Sequence, residues 1–111
     1  MAYLLYVIIV ETSVFTRQID RLLDSESYRD LQNYLVDDPN RGSVIPGTAG
    51  LRKLRWQRAG AGKRGGIRVI YFWIVNESTV LMLLAYPKGE QDDLTPAQKR
   101  KLKQIVEEEL K

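Results

Sequence analysis

Eight of the chain's 17 Lys and Arg residues fall between Arg41 and Asn76, a stretch without one Asp or Glu. They are Arg41, Arg52, Lys53, Arg55, Arg58, Lys63, Arg64 and Arg68. This segment carries +8 in a chain whose total is +3, so the remainder sums to −5. A basic centre in an acidic frame concentrates a positive field, the footprint of a protein that meets a phosphate-rich polymer. Guanidinium groups match phosphate oxygens two at a time and stay charged, whereas a lysine can also give or take a proton. Such a set points to a bound polyanion, in the first place a nucleic acid.

Composition removes most other chemistries. There is no histidine and no cysteine. A Ser-His-Asp triad, a paired-histidine ribonuclease site, thiolate or imidazole metal ligation and a disulfide framework are therefore excluded. Neither a metal nor an organic cofactor is expected. Gly60-Ala61-Gly62-Lys63 looks superficially like a nucleotide-binding P-loop. Gln57 stands where its first glycine belongs, and Arg64 replaces the magnesium-binding Ser or Thr. A phosphate grip by Lys63 and Arg64, with Gly65 and Gly66 admitting close backbone approach, is the remaining functional reading of this loop.

The elements that must position these cations follow from patterning. In Leu51–Arg58, Leu54 and Trp56 point one way and Lys53, Arg55 and Gln57 the other, as in a strand with one buried face. If Leu54 and Trp56 meet helices, Lys53 and Arg55 stand on the opposite, open face. Ile67–Val75 and Val80–Tyr86 are two further strands, joined through Asn76–Thr79, and Lys88 follows the last. Lys53, Arg55, Arg64, Arg68 and Lys88 then converge on one sheet surface or its rim. The central strand is apolar on both sides, with Tyr71 and Trp73 opposite Arg68, Ile70 and Phe72. One side must be covered by the terminal helix or by a partner protein.

Tyr3–Val10 is apolar on both faces and predicts a strand inside the sheet, joined to it by a crossover. Thr12 or Ser13 caps a helix to about Asp24, with Val14, Ile19, Leu22 and Leu23 inward. A second helix starts near Ser25-Glu26-Ser27, turns Tyr28, Leu31, Tyr34 and Leu35 to one side, and ends before Pro39. Asn40–Gly50 is a turn-rich connector. Thr95-Pro96-Ala97-Gln98 has the form of a capping box opening a last helix, striped by Leu102, Ile105, Val106 and Leu110. One domain spanning residues 1–111 and a four-stranded, mainly antiparallel α+β sheet are expected. A chain of this length buries roughly two-thirds of its unfolded surface. Met1–Val10 is too short to span a bilayer, which predicts a cytoplasmic protein without membrane contact.

The assembled motifs resemble the RelE/HigB superfamily of bacterial toxins from type II toxin–antitoxin pairs, and its HigB-like branch most. The likeness lies in Val44-Ile45-Pro46-Gly47-Thr48, in Gly50 to Trp56, in Gly62 to Tyr71, and in Asp93-Leu94-Thr95. It extends from Tyr28 at least to Leu102. It implies two N-terminal helices packed on an antiparallel sheet with a C-terminal helix, and an enzyme that cuts mRNA in the ribosomal A site. Position by position, Arg68 matches the arginine opening the family's central strand, and Lys53 and Arg55 match the basic strand before it. Lys88 matches the basic residue after the last strand. The family often shows Tyr-x-Lys-Asn-Glu there. This chain has Tyr86-Pro87-Lys88-Gly89-Glu90, which leaves Glu90 without an assigned role.

The chemistry so implied needs no metal. The ribose 2′-OH attacks the adjacent phosphorus and leaves a 2′,3′-cyclic phosphate. Without histidine a lysine must be the base, Lys53 or Lys88, and crowding by like charges eases its deprotonation. Arg64 and Arg68 hold the non-bridging oxygens, and Tyr86 is a further proton-transfer candidate. Arg52, Arg55 and Lys63 complete the RNA-binding set. Expected partners are an antitoxin encoded by an adjacent gene, the ribosome and mRNA. Two rival readings stay open: a gyrase-poisoning toxin of the same fold, and a non-catalytic RNA-binding module.

Overall fold

A computed structural model describes residues 6–58, 65–91 and 93–110. Its elements in chain order are β1 (Ile8–Glu11), α1 (Ser13–Leu22), α2 (Ser25–Asp37), β2 (Ser43–Val44), β3 (Arg52–Trp56), β4 (Ile67–Ile74), β5 (Thr79–Pro87) and α3 (Pro96–Glu109). The strands form one five-stranded sheet in the order β1-β5-β4-β3-β2. β2 to β5 run antiparallel to their neighbours, and β1 lies parallel to β5. The sheet is therefore mixed and has one strand more than patterning predicts. The extra strand is β2, a two-residue pairing inside the Gly- and Pro-rich connector.

Local capping sets the helices. The Thr12 hydroxyl accepts from the Phe15 amide at 3.0 Å, and Asp24 Oδ1 accepts from the Ser27 amide at 2.7 Å. These side chains satisfy amides that a helix start leaves without partners. The two helices share one side of the sheet, where Phe15, Ile19, Leu31 and Leu35 pack on Leu54, Val69, Tyr71, Val80 and Met82. Phe15 faces the core and Val14 is exposed, the reverse of the expectation for that turn. The Tyr71 hydroxyl ties the end of α2 to the connector: it donates to the Pro39 carbonyl at 2.7 Å and accepts from the Gly42 amide at 2.8 Å. A Cβ on Gly42 would lie 2.8 Å from a Tyr71 ring carbon, so only glycine fits there.

The other side is not open. α3 begins with the capping box read from the sequence, Thr95 with Gln98. It lays Leu102 and Val106 over Leu51, Ile70, Ile74, Leu81 and Leu83. The terminal helix is thus the cover that the doubly apolar β4 requires. Leu110, expected in its stripe, is exposed. No helix among the described residues is long and apolar enough to cross a membrane.

β1 also departs from expectation. It is an edge strand, with Ile8 and Val10 exposed and Val7 and Ile9 turned to the helices. Beyond its end, α1 takes over the edge of β5. The Thr12 amide donates to the Met82 carbonyl, the Thr12 hydroxyl to the Leu83 carbonyl, and Gln18 Oε1 accepts from the Ala85 amide. A bulge interrupts β5 here, because Ile70 pairs with Leu84 while Tyr71 pairs with Met82, leaving Leu83 over. The extra residue reverses the facing of the rest of the strand. Val80 and Met82 face α1 and α2, yet Tyr86 faces α3.

Candidate nucleic-acid interface

The bulge brings Tyr86 beside Arg68. In register, Arg55 pairs with Arg68 and Arg68 with Tyr86, one row crossing β3, β4 and β5 on the α3 side of the sheet. Lys53 stands two residues before Arg55 on the same face, opposite Ile70. Arg68 and Tyr86 are buried, at 5% and 6% exposure, whereas Arg55 is exposed. α3 covers the apolar middle of this face and leaves its basic end reachable.

That end opens as a groove of about 760 Å³, lined among others by Arg41, Lys53, Arg55, Asp93 and Lys99. Among the described residues, four cations against one carboxylate give its lining a net charge of +3. Lys53 Nζ donates to Asp93 Oδ1 at 2.8 Å. That hydrogen bond, with the charge of Lys53 and the more distant charges of Lys99 and Arg68, holds the Asp93 carboxyl below its ordinary 3.8. The carboxylate therefore lies where the field of the groove favours an anion.

Of the predicted cations, Lys53, Arg55 and Arg68 share this face. Arg52 is on the other side of β3, where its guanidinium donates to the Gly42 carbonyl at 2.7 Å and to the Asn40 carbonyl at 3.2 Å and side chain at 3.1 Å. It clamps the connector and does not line the groove. Lys88 is exposed just past β5, its amide bonded to the Gly66 carbonyl at 3.0 Å. The Glu90 amide closes a turn onto the Pro87 carbonyl at 3.1 Å, with its side chain in solvent. Lys63 and Arg64, with the glycine-loop reading, lie outside the described residues. Arg58 Nε bonds the Gly65 carbonyl at 2.7 Å across that loop.

Two groove residues, Lys99 and Asp93, escape sequence reasoning, and Arg41 belongs to the basic stretch without belonging to the predicted site. Arg41 contributes through the connector and Lys99 through the first turn of α3. Asp93, within a motif carrying the resemblance, meets a partner 40 positions away. One acid of the Asp92-Asp93 pair, two residues before a helix cap, gives no local sign of that pairing.

No family model matches the chain. Among solved structures it superposes on the isolated toxin RelE of E. coli with a TM-score of 0.51 and 15% identity, over 89% of this chain and 98% of that one. It also superposes on a free-state E. coli RelE variant with two arginines changed to alanine. The TM-score is 0.52 at 16% identity, covering 79% of this chain and 90% of the other. Three helices on a five-stranded mixed sheet, so connected, give this chain the fold of the RelE toxin.

Proposed function

We propose that this chain is a RelE-like endoribonuclease toxin of the HigB-like branch that cuts mRNA on the translating ribosome. The observation that carries the reading is the cationic groove lined by Lys53 and Arg55, with the Arg55–Arg68–Tyr86 row continuing from it on the same face of the sheet. An RNA phosphate entering the groove competes with the Asp93 carboxylate for Lys53. Arg55 and Arg68 then bind its non-bridging oxygens, with Arg64 as a third cation, and offset the charge that grows on the phosphorane. The 2′-oxygen attacks phosphorus as its proton passes to Lys88, and the bond to the 5′-oxygen breaks. Lys53, whose ammonium is already aimed at an anion, protonates that leaving oxygen. Tyr86 fixes the arginine row from behind. An antitoxin from an adjacent gene restrains the toxin in the cytoplasm by covering the groove.

The test is brief induction in bacteria followed by mapping of mRNA 5′ ends. Cuts inside translated regions in register with codons are expected, and they vanish in Arg55→Ala. DNA-damage signalling with intact mRNA would assign the fold to gyrase poisoning instead. Arg68 is buried, so its alanine variant is interpretable only alongside a circular dichroism spectrum matching the parent's.

A further inference from the structure

A second opening lies across β3 from the groove. β2 pairs only with Arg52 and Lys53, which leaves the outer edge of β3 unpaired from Leu54 to Trp56. Tyr34, Arg55, Trp56 and Gln57 line a cleft of about 330 Å³ there, at the low end of the roughly 300–1,000 Å³ of small-ligand sites. Tyr34 and Trp56 form a tilted ring pair, centroids 5.5 Å apart at 54°. A pair that served only to dock α2 on the sheet would be buried, as Leu31 and Leu35 are. Tyr34 is instead 38% exposed and Trp56 half-buried.

The shelf is held in place. The Arg41 guanidinium lies 4.0 Å from the Tyr34 ring centroid, bonded to Asp37 at 2.6 Å and to the Tyr34 carbonyl at 3.0 Å. Arg41 also lines the groove, and Arg55 lines both openings. Phosphate-binding cations thus adjoin two ring faces and the exposed amide of Gln57. Single-stranded RNA is recognised through this combination: charge along the backbone, an aromatic platform for a base, and a polar side chain for the base edge.

We infer that Tyr34, Trp56 and Gln57 form a nucleobase subsite, which stacks one unpaired base of the strand whose phosphate occupies the groove. The inference rests on the RNA reading above and adds to it a contact with a base. Gln57 gives this contact its edge selectivity, and Tyr34 with Trp56 gives it affinity.

The experiment compares an intact labelled 2′-O-methyl oligoribonucleotide with a set of counterparts, each abasic at one position, all uncleavable for want of the nucleophile. Anisotropy at fixed salt should show the intact strand binding the parent chain at least about fivefold tighter than its weakest abasic counterpart, as expected for one stacked base. Tyr34→Ala should erase that difference, and Gln57→Ala should reduce it. Quenching of tryptophan fluorescence should accompany binding of the intact strand only. Equal binding of intact and abasic strands by the parent chain would overturn the subsite and leave the groove reading standing. Failure of every strand, intact and abasic, to bind would overturn both.

Discussion

Asp93→Asn removes the one carboxylate that the described residues contribute to the groove lining, while keeping its shape. In the parent chain Lys53 Nζ is engaged by Asp93 at 2.8 Å, so three of the four lining cations meet phosphate without displacing a groove carboxylate. In the variant all four do. Each phosphate neutralised on a single strand contributes a salt slope of about −0.7 to the logarithm of the binding constant. The slope should therefore steepen from about −2.1 to about −2.8. A tenfold drop in salt then widens the affinity advantage of the variant by about fivefold. Fluorescence anisotropy with an uncleavable single strand, titrated at four or five salt concentrations, measures both slopes. Because the folded Asp93 carboxyl ionises below its ordinary 3.8, its charge is present at all higher pH and lost only as pH falls through the folded value. The difference between the chains should consequently be constant across neutral pH. Parallel salt slopes, or weaker binding by the variant, would show that Asp93 does not compete with phosphate at Lys53.

Tyr71→Phe strands the buried Gly42 amide and should cost about 1–3 kcal/mol, seen as a lower urea midpoint at unchanged m-value. Burial raises the Tyr71 and Tyr28 phenols above their ordinary 10.0, and for Tyr28 the hydrogen bond to Glu11 adds to the rise. Their contribution is complete below the unfolded value and declines as pH climbs above it, so urea stability should fall beyond about pH 10, less steeply in Tyr71→Phe. Thr95→Ala opens the capping box of α3 and should cost about 1 kcal/mol by the same measurement. Deleting Leu83 removes the bulge and turns Tyr86 toward α1, so RNA cleavage should be lost even where circular dichroism shows a folded chain.

How much could be read in advance tracks the range of the interactions involved. Helix starts at Thr12 and Thr95 depend on neighbours within three residues, and their residue types announce them, whereas Asp24, read as the end of the first helix, caps the second. The β3–β4–β5 meander follows from short connections, and the shared face of Lys53, Arg55 and Arg68 from simple alternation. Alternation fails at Leu83, because a bulge is a property of two paired strands. β1 is apolar on both faces like an interior strand, yet strand order depends on the crossover, and the order places it at the edge. Arg52 and Lys53 are adjacent cations with opposite fates, one tied to the connector and one to the groove. Charge counting treats them alike, and only the facing of β3 separates them.

The parallel pairing of β1 with β5 has a consequence for synthesis on the ribosome. Ile8 meets Thr79, so the earliest strand to emerge waits for about the last third of the chain before its backbone finds a partner. Closing so long a loop is entropically slow, and until then the inner faces of α1 and α2 lack the part of the core that β5 supplies, Val80, Met82 and Ala85. A polypeptide stopped short of Thr79 cannot satisfy β1 at all. Premature termination should therefore yield sticky, protease-sensitive fragments, while release of the full-length chain completes the sheet in one cooperative step.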